Sequence, residues 1–182
     1  MARRLADALD AAALPYAIGG ALALGVWGFP RATNDVDLNL YLEVDALGAA
    51  FAVFRRAGCT VDEEQALASA RDRGDFSVKA GAMRVDVFVP SVPLYDSART
   101  RIRQAPLEGR PAWFLSPEDL VVFKMLFFRT KDVLDVERLV AFAAADFDRA
   151  YVRRWLVDLV GADDERLARW DRLLADVDGI AR

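Results

Sequence analysis

Apolar positions along the chain repeat with two different periods, and the change falls near residue 116. Leu5 and Leu9, with Ala8 and Ala12, sit at helical spacing and predict a short first helix ending before Pro15. Tyr16-Ala17-Ile18 reads as a short apolar strand that runs into Gly19-Gly20, and a brief helix is expected from Gly20 to about Gly28, closed by Gly28 and Pro30. From Asp35 to Leu42 the alternation is strict. Val36, Leu38, Leu40 and Leu42 share one face, and Asp35, Asp37, Asn39 and Tyr41 share the other.

An amphipathic helix is expected over Val44 to Ala57, ending at Gly58, whereas residues 59–73 are ambiguous and read as a strand and a short polar helix. Phe76 to Lys79 and Met83 to Val89 flank Ala80-Gly81-Ala82 and predict a hairpin, with Val85, Val87 and Val89 opposite Arg84, Asp86 and Phe88. Pro90 and Pro93 end the pattern, so a loop is expected to carry Arg99-Thr100-Arg101-Ile102-Arg103. Trp113-Phe114-Leu115 reads as a short strand or extended entry. Beyond it Ser116-Pro117-Glu118-Asp119 supplies an N-cap, a first-turn proline and early acids. Helices are expected over 117–129, 132–144, 147–160 and 163–175, with Trp155 and Trp170 in the core or, alternatively, at an interface. The organisation is an α/β half over 1–115 and a helical half over 116–182.

Composition narrows the chemistry. The chain has 182 residues, 54% hydrophobic and 29% charged, which suits a folded domain with a substantial core. Ala11 to Pro30 carries no charge, but Pro15 and four glycines interrupt it, so it reads as core and not as a membrane span. Cys59 stands alone, which excludes a disulfide framework and fits a cytoplasmic protein. The net charge of −4 offers nucleic acid no overall attraction, and the run from Arg99 to Arg103 is the one dense basic patch. Histidine is absent, so His-based general base catalysis, Ser-His-Asp triads and His-ligated zinc are excluded. A metal would need oxygen ligands, the preference of a hard cation such as Mg2+.

The acids supply candidates. Asp35 and Asp37 point the same way from one strand and would repel each other unless a cation lay between them, although an exposed polar strand face is the plainer alternative. Asp86 is a third acid within an apolar strand. Upstream, the Gly19-Gly20 turn leaves room for a phosphate, or is an ordinary tight turn. Lys124 is the only charge in Leu120 to Phe128, a stretch apolar all round, and either snorkels to the surface or points into a cleft of negative charge.

The series Gly19-Gly20-Ala21, Gly28 and Arg31-Ala32-Thr33-Asn34-Asp35-Val36-Asp37, followed by a separate Asp86, resembles the signature of the DNA polymerase β-type nucleotidyltransferase superfamily. It looks most like the AbiEii-type toxin branch and related minimal nucleotidyltransferases, although Trp27 stands where that branch often has His. The downstream series from Ser116 through Lys124 to Arg129-Thr130-Lys131-Asp132-Val133-Leu134-Asp135 also looks like the family's, and the resemblance spans about residues 14–145.

The resemblance implies an α+β fold, with a polymerase β-type nucleotidyltransferase core of mixed sheet and flanking helices followed by a C-terminal helical bundle. It implies Mg2+-dependent transfer of NMP from an NTP to an acceptor hydroxyl, with two ions possible and Mn2+ as a substitute. Asp35, Asp37 and Asp86 would be both catalytic and metal-binding. Gly19, Gly20, Arg31, Thr33 and Lys124 would bind nucleotide, and Arg129, Lys131, Asp132 and Asp135 would support the site. For Asp132 and Asp135 the alternative is a helix cap and a local Lys131–Asp135 ion pair. The acceptor could be RNA or tRNA, a protein or a small molecule, and the toxin branch implies a cognate antitoxin. Two rival readings share these residues: a non-catalytic nucleotide-binding or antitoxin module, and a metal-dependent phosphohydrolase.

Overall fold

A computed structural model of the chain describes residues 1–28, 30–143 and 146–180. Met1–Val26 with Pro30–Leu115 forms one compact unit, and a second begins at Ser116. In the first unit the chain order is α1 (Ala2–Ala11), β1 (Tyr16–Ile18), α2 (Gly20–Val26), β2 (Asp35–Leu40), a 3-10 turn at Val44–Ala46, and α3 (Leu47–Arg56). It continues through α4 (Glu63–Arg73), β3 (Asp75–Ala80), β4 (Met83–Phe88), α5 (Leu94–Arg101), β5 (Arg103–Leu107) and β6 (Arg110–Phe114). The strands form one mixed sheet in the order β3-β4-β2-β1-β6-β5. β2 is parallel to β4 and β1 to β6, while β1–β2, β3–β4 and β5–β6 are antiparallel.

Alternation in the strands selects the buried face. Val36, Leu38 and Leu40 of β2 and Val85 and Val87 of β4 are all buried, and β2 lies at the centre of the sheet. Leu5 and Leu9 of α1 are buried one helical turn apart, and α1 packs on α3 and β6. Tyr16 begins β1, and its hydroxyl donates to Asp10 at 3.3 Å. Burial, and the Asp10 carboxylate beside it, push that phenol up to about 12, so it stays a neutral donor.

The stretch 11–30 is drawn into β1 and α2, with Phe29 outside the described residues. Among the described residues no helix is long and apolar enough to cross a membrane. The ambiguous 59–73 stretch forms the expected helix but no strand. Thr60 makes a single antiparallel bridge to Lys79, and α4 follows, with the Asp62 side chain accepting from the Gln65 N–H at 3.1 Å.

The expected loop after Pro93 is instead α5 followed by the β5–β6 hairpin. Arg99 and Arg101 therefore lie on a helix and Arg103 on a strand. Leu94, Tyr95 and Ala98 provide the buried side that makes α5 a helix. The hairpin was hidden by its chemistry. Its two-residue turn is Glu108-Gly109, in which Glu108 adopts φ 49°, and Pro106 faces Pro111 across the strands. Beyond a two-residue turn the second pair is the one that exchanges no hydrogen bonds, so neither proline deprives the ladder of a donor.

β6 lies between β1 and β5, and Arg3 meets its backbone near the turn. This side chain is 7% exposed and donates to the carbonyls of Arg110 at 3.2 Å and Pro111 at 2.9 Å, while pairing with Asp7 at 2.7 Å.

The second unit contains α6 (Pro117–Phe127), α7 (Thr130–Ala141), α8 (Arg149–Val160) and α9 (Glu165–Ile180). Residue 144, the expected end of the helix observed as α7, lies outside the described residues, as does 145. The Ser116 side chain caps α6 by accepting from the Asp119 N–H at 3.1 Å. α6 packs on α7 and α8, and α9 packs on both of these. Trp170 is fully buried and Trp155 is half-buried.

Replacing Arg3 removes a buried donor from the carbonyls of Arg110 and Pro111. Arg3→Met is expected to lower the unfolding free energy by about 1–3 kcal/mol, measured by denaturant titration, with the Asp7→Asn change costing less.

Candidate active site

The register between β2 and β4 builds the candidate site in the first unit. Asp37 lies directly across from Asp86, and Asp35 across from Arg84. Residues paired in register point to the same side of a sheet, so three carboxylates and one guanidinium occupy four adjoining positions on one face. The opposite face of the same pairs is Val36 against Val85 and Leu38 against Val87. Parallel strand pairs are commonly apolar on both faces, which makes this acidic face an exception that packing alone does not explain.

Asp37 also accounts for the glycine pair. Gly20 adopts φ +54°, and a Cβ built on it would lie 1.7 Å from Asp37 Oδ2 and 2.5 Å from the carboxyl carbon. A Cβ on Gly19 would meet Asn39 Nδ2 at 3.0 Å and Leu115 at 3.3 Å. The glycines are required by the close approach of a carboxylate and a buried amide. The Gly19 N–H is already committed to the sheet, donating to the Asp37 carbonyl at 2.9 Å.

The other two acids have their own partners. Asp35 Oδ1 accepts a short hydrogen bond from Thr33 Oγ1, which is also 3.4 Å from the Asp35 N–H, so Thr33 fixes the entry to β2. Asp86 Oδ1 accepts from Ser77 Oγ at 2.6 Å and from Arg84 Nε at 2.6 Å. Ser77 sits across from Asp86 on β3, so the row Ser77, Asp86, Asp37 crosses three strands. Arg31 is exposed in the segment ahead of β2.

Among the described residues no three His, Cys, Asp or Glu side chains form a ready-made metal cage. The donor set is nevertheless suited to a hard cation. It consists of carboxylate oxygens only, with two of them in register on adjacent strands. Ser77, Arg84 and Asn39 were not identified from sequence. Arg84 was open to recognition, because it lies two residues before Asp86 on the same strand face. Ser77 becomes visible only when the β3–β4 register is known.

The second unit holds a separate charged cluster. Lys124 is buried, and its Nζ lies 2.7 Å from Asp135 Oδ2 and 3.6 Å from Asp132 Oδ1. Lys124 therefore does not snorkel. Asp132 also accepts from the Arg129 N–H at 3.3 Å and from the Arg129 guanidinium, closing the N-terminus of α7. Asp135 pairs with Lys124 across two helices and not with Lys131, which is exposed. Lys124, Asp132 and Asp135 are buried, and Arg129 reaches Asp132 from the exposed side, so the two carboxylates are compensated where an uncompensated charge would be costly. Next to the Ser116 cap, Tyr151 Oη and Ser116 Oγ both donate to the buried Asp119 carboxylate.

No protein-family model matches the chain, and no curated protein matches it in sequence. Solved structures do match it in shape. ANT(2'')-Ia in complex with adenylyl-2''-tobramycin matches with TM-score 0.57 at 18% identity, over 100% of this chain and 97% of that one. LnuA, a lincosamide antibiotic adenylyltransferase bound to lincomycin, matches with TM-score 0.53 at 12% identity, over 75% of this chain and 92% of its own. JHP933 from Helicobacter pylori gives 0.50 at 14% identity, over 99% and 91%. This chain has the nucleotidyltransferase fold. Sheet, flanking helices and α+β class agree with the expectation from sequence, and at these identities the likeness is one of fold.

In the nucleotidyltransferase fold of this chain, Gly20→Ala is expected to lower stability by about 1–2 kcal/mol from backbone strain alone, and by more from the clash with Asp37. Measured in an Asp37→Ala background, which removes the carboxylate but keeps a Cβ 2.9 Å from the new methyl, the same substitution should cost less; equal costs in both backgrounds would show that the carboxylate does not dictate the glycine. In the second unit, Lys124→Ala should destabilise by about 3–5 kcal/mol in thermal or denaturant unfolding, because it leaves Asp135 buried without its ammonium.

Proposed function

We propose that the chain is a Mg2+-dependent nucleotidyltransferase that moves NMP from an NTP to a hydroxyl of a small-molecule acceptor. The observation that carries this reading is the in-register pairing of Asp37 with Asp86, beside Asp35 and against the Gly19-Gly20 turn. That row combines carboxylates for a cation with an open backbone turn, in the fold shared with two antibiotic-modifying proteins.

Asp35 and Asp37, with Asp86 completing the set, would hold the cation, which supplies charge neutralisation for the triphosphate. Asp86 accepts the proton of the acceptor hydroxyl. The hydroxyl oxygen then bonds to the α-phosphorus, the α–β phosphoanhydride bond breaks, and pyrophosphate leaves with that electron pair. Ser77 orients Asp86 through its Oδ1, joined by Arg84 when no cation is bound, and Thr33 orients Asp35. The resemblance assigns Gly19, Gly20, Arg31, Thr33 and Lys124 to nucleotide, and Arg129, Lys131, Asp132 and Asp135 to support. These assignments are part of the proposal, with Gly19 contributing space and not its N–H.

A small-molecule acceptor is favoured by the acceptors named for ANT(2'')-Ia and LnuA, tobramycin and lincomycin, and by the net charge of −4, which gives RNA no general attraction. The AbiEii-type branch, with its toxin role and antitoxin partner, rests on motif resemblance alone.

The test is label transfer from each α-labelled NTP, with Mg2+, to aminoglycosides, lincosamides or total RNA. Wild type is expected to label a small molecule, and Asp37→Ala to lower the rate by about 10²–10³-fold or more. Label on RNA would replace the acceptor class. Bound NTP without transfer to any acceptor would favour a binding module, and release of inorganic phosphate would favour a hydrolase.

A further inference from the structure

Arg84 occupies the fourth corner of the acidic face. Its register partner on β2 is Asp35, yet its guanidinium turns along its own strand to Asp86, with Nε 2.6 Å from Oδ1. The same oxygen accepts from Ser77. The Arg84 side chain is 63% exposed and that of Asp86 18%. An ion pair this open contributes little to stability, because water screens it and the long side chain loses freedom. Its electrostatic consequence at the site is larger. A fixed positive charge beside three carboxylates lowers their joint attraction for any other cation, and the hydrogen bond from Nε takes up an oxygen that a divalent ion would use.

We propose that Arg84 is a resident counter-ion that competes with a divalent cation for Asp86, and thereby sets the cation affinity of the Asp35–Asp37–Asp86 face. Arg84 is a positioning residue. Paired, it holds the Asp86 carboxylate through Oδ1; displaced, it leaves the carboxylate to the metal while its guanidinium remains on the same face. Because the pair is exposed and weak, the exchange requires no rearrangement of the sheet. The inference rests on the nucleotidyltransferase reading only in taking the carboxylates as cation ligands.

Direct binding of Mn2+ to the nucleotide-free protein tests this, followed by calorimetry and by the electron paramagnetic resonance of free Mn2+. Arg84→Gln is expected to tighten Mn2+ binding roughly three- to tenfold, the effect of removing one unit charge near a divalent ion. Arg84→Lys, which keeps the charge, should stay within about twofold of wild type. Without Mn2+, the thermal midpoints of both variants should match that of wild type, as an exposed pair requires. Unchanged or weaker binding by Arg84→Gln overturns the proposal while leaving the metal site intact, and so does equal tightening by both variants. If wild type binds no Mn2+, the proposal falls together with the cation-binding part of the functional reading.

Discussion

The first unit is organised around the contact between the Asp37 carboxylate and the Gly20 turn. Space that a Cβ would occupy is taken by Asp37 Oδ2, so the chain must turn there through a residue without a side chain, in a left-handed conformation. The turn in turn fixes where α2 leaves β1. The Gly19 N–H reaches the Asp37 carbonyl, and so ties the end of β1 to the residue whose side chain crowds Gly20. Backbone and side chain of one aspartate thus hold both glycines.

The sheet supports this contact through its other face. β2 is central, and its alternate residues Val36, Leu38 and Leu40 are buried, which prevents a one-residue slip that would carry the acids into the core. The parallel register with β4 is locked in the same way by Val85 and Val87. Hydrophobic packing therefore accounts for the juxtaposition of like charges. Burial of the valines and leucines decides the register, and Asp37 and Asp86 meet as a consequence. Ser77, Thr33 and Arg84 then supply the hydrogen bonds and the positive charge that make the arrangement tolerable.

In the second unit the same problem has another solution. Lys124 lies in a helix whose remaining positions are largely apolar and buried, and its charge is balanced by carboxylates from the next helix. Asp132 serves two purposes, closing the N-terminus of α7 and sharing Lys124. A few buried polar groups, each with partners, join α6 to α7 and α8 where apolar packing alone would leave the helices free to slide.

The sequence by itself determined the strands of the site and their faces. Alternation over Asp35 to Leu38 and Met83 to Phe88 is a local property with period two, and it survives into the structure, whereas Asn39 on the polar face of β2 is buried. The cap at Ser116-Pro117 and the change to helix are equally local. Where local chemistry was ambiguous, the reading failed. The β5–β6 hairpin carries prolines on both strands and turns through Glu108, so only its place at the sheet margin, with Arg3 bonded to the β6 backbone, makes it a hairpin.

Tertiary structure alone decided the pairings. That Asp37 faces Asp86, that Gly20 has no room for a Cβ, that Arg84 turns to Asp86 and that Lys124 chooses Asp135 over exposure all depend on register or packing between segments distant in sequence. A sequence specifies which side of a strand is polar; which polar groups then meet is set by how the apolar sides are buried.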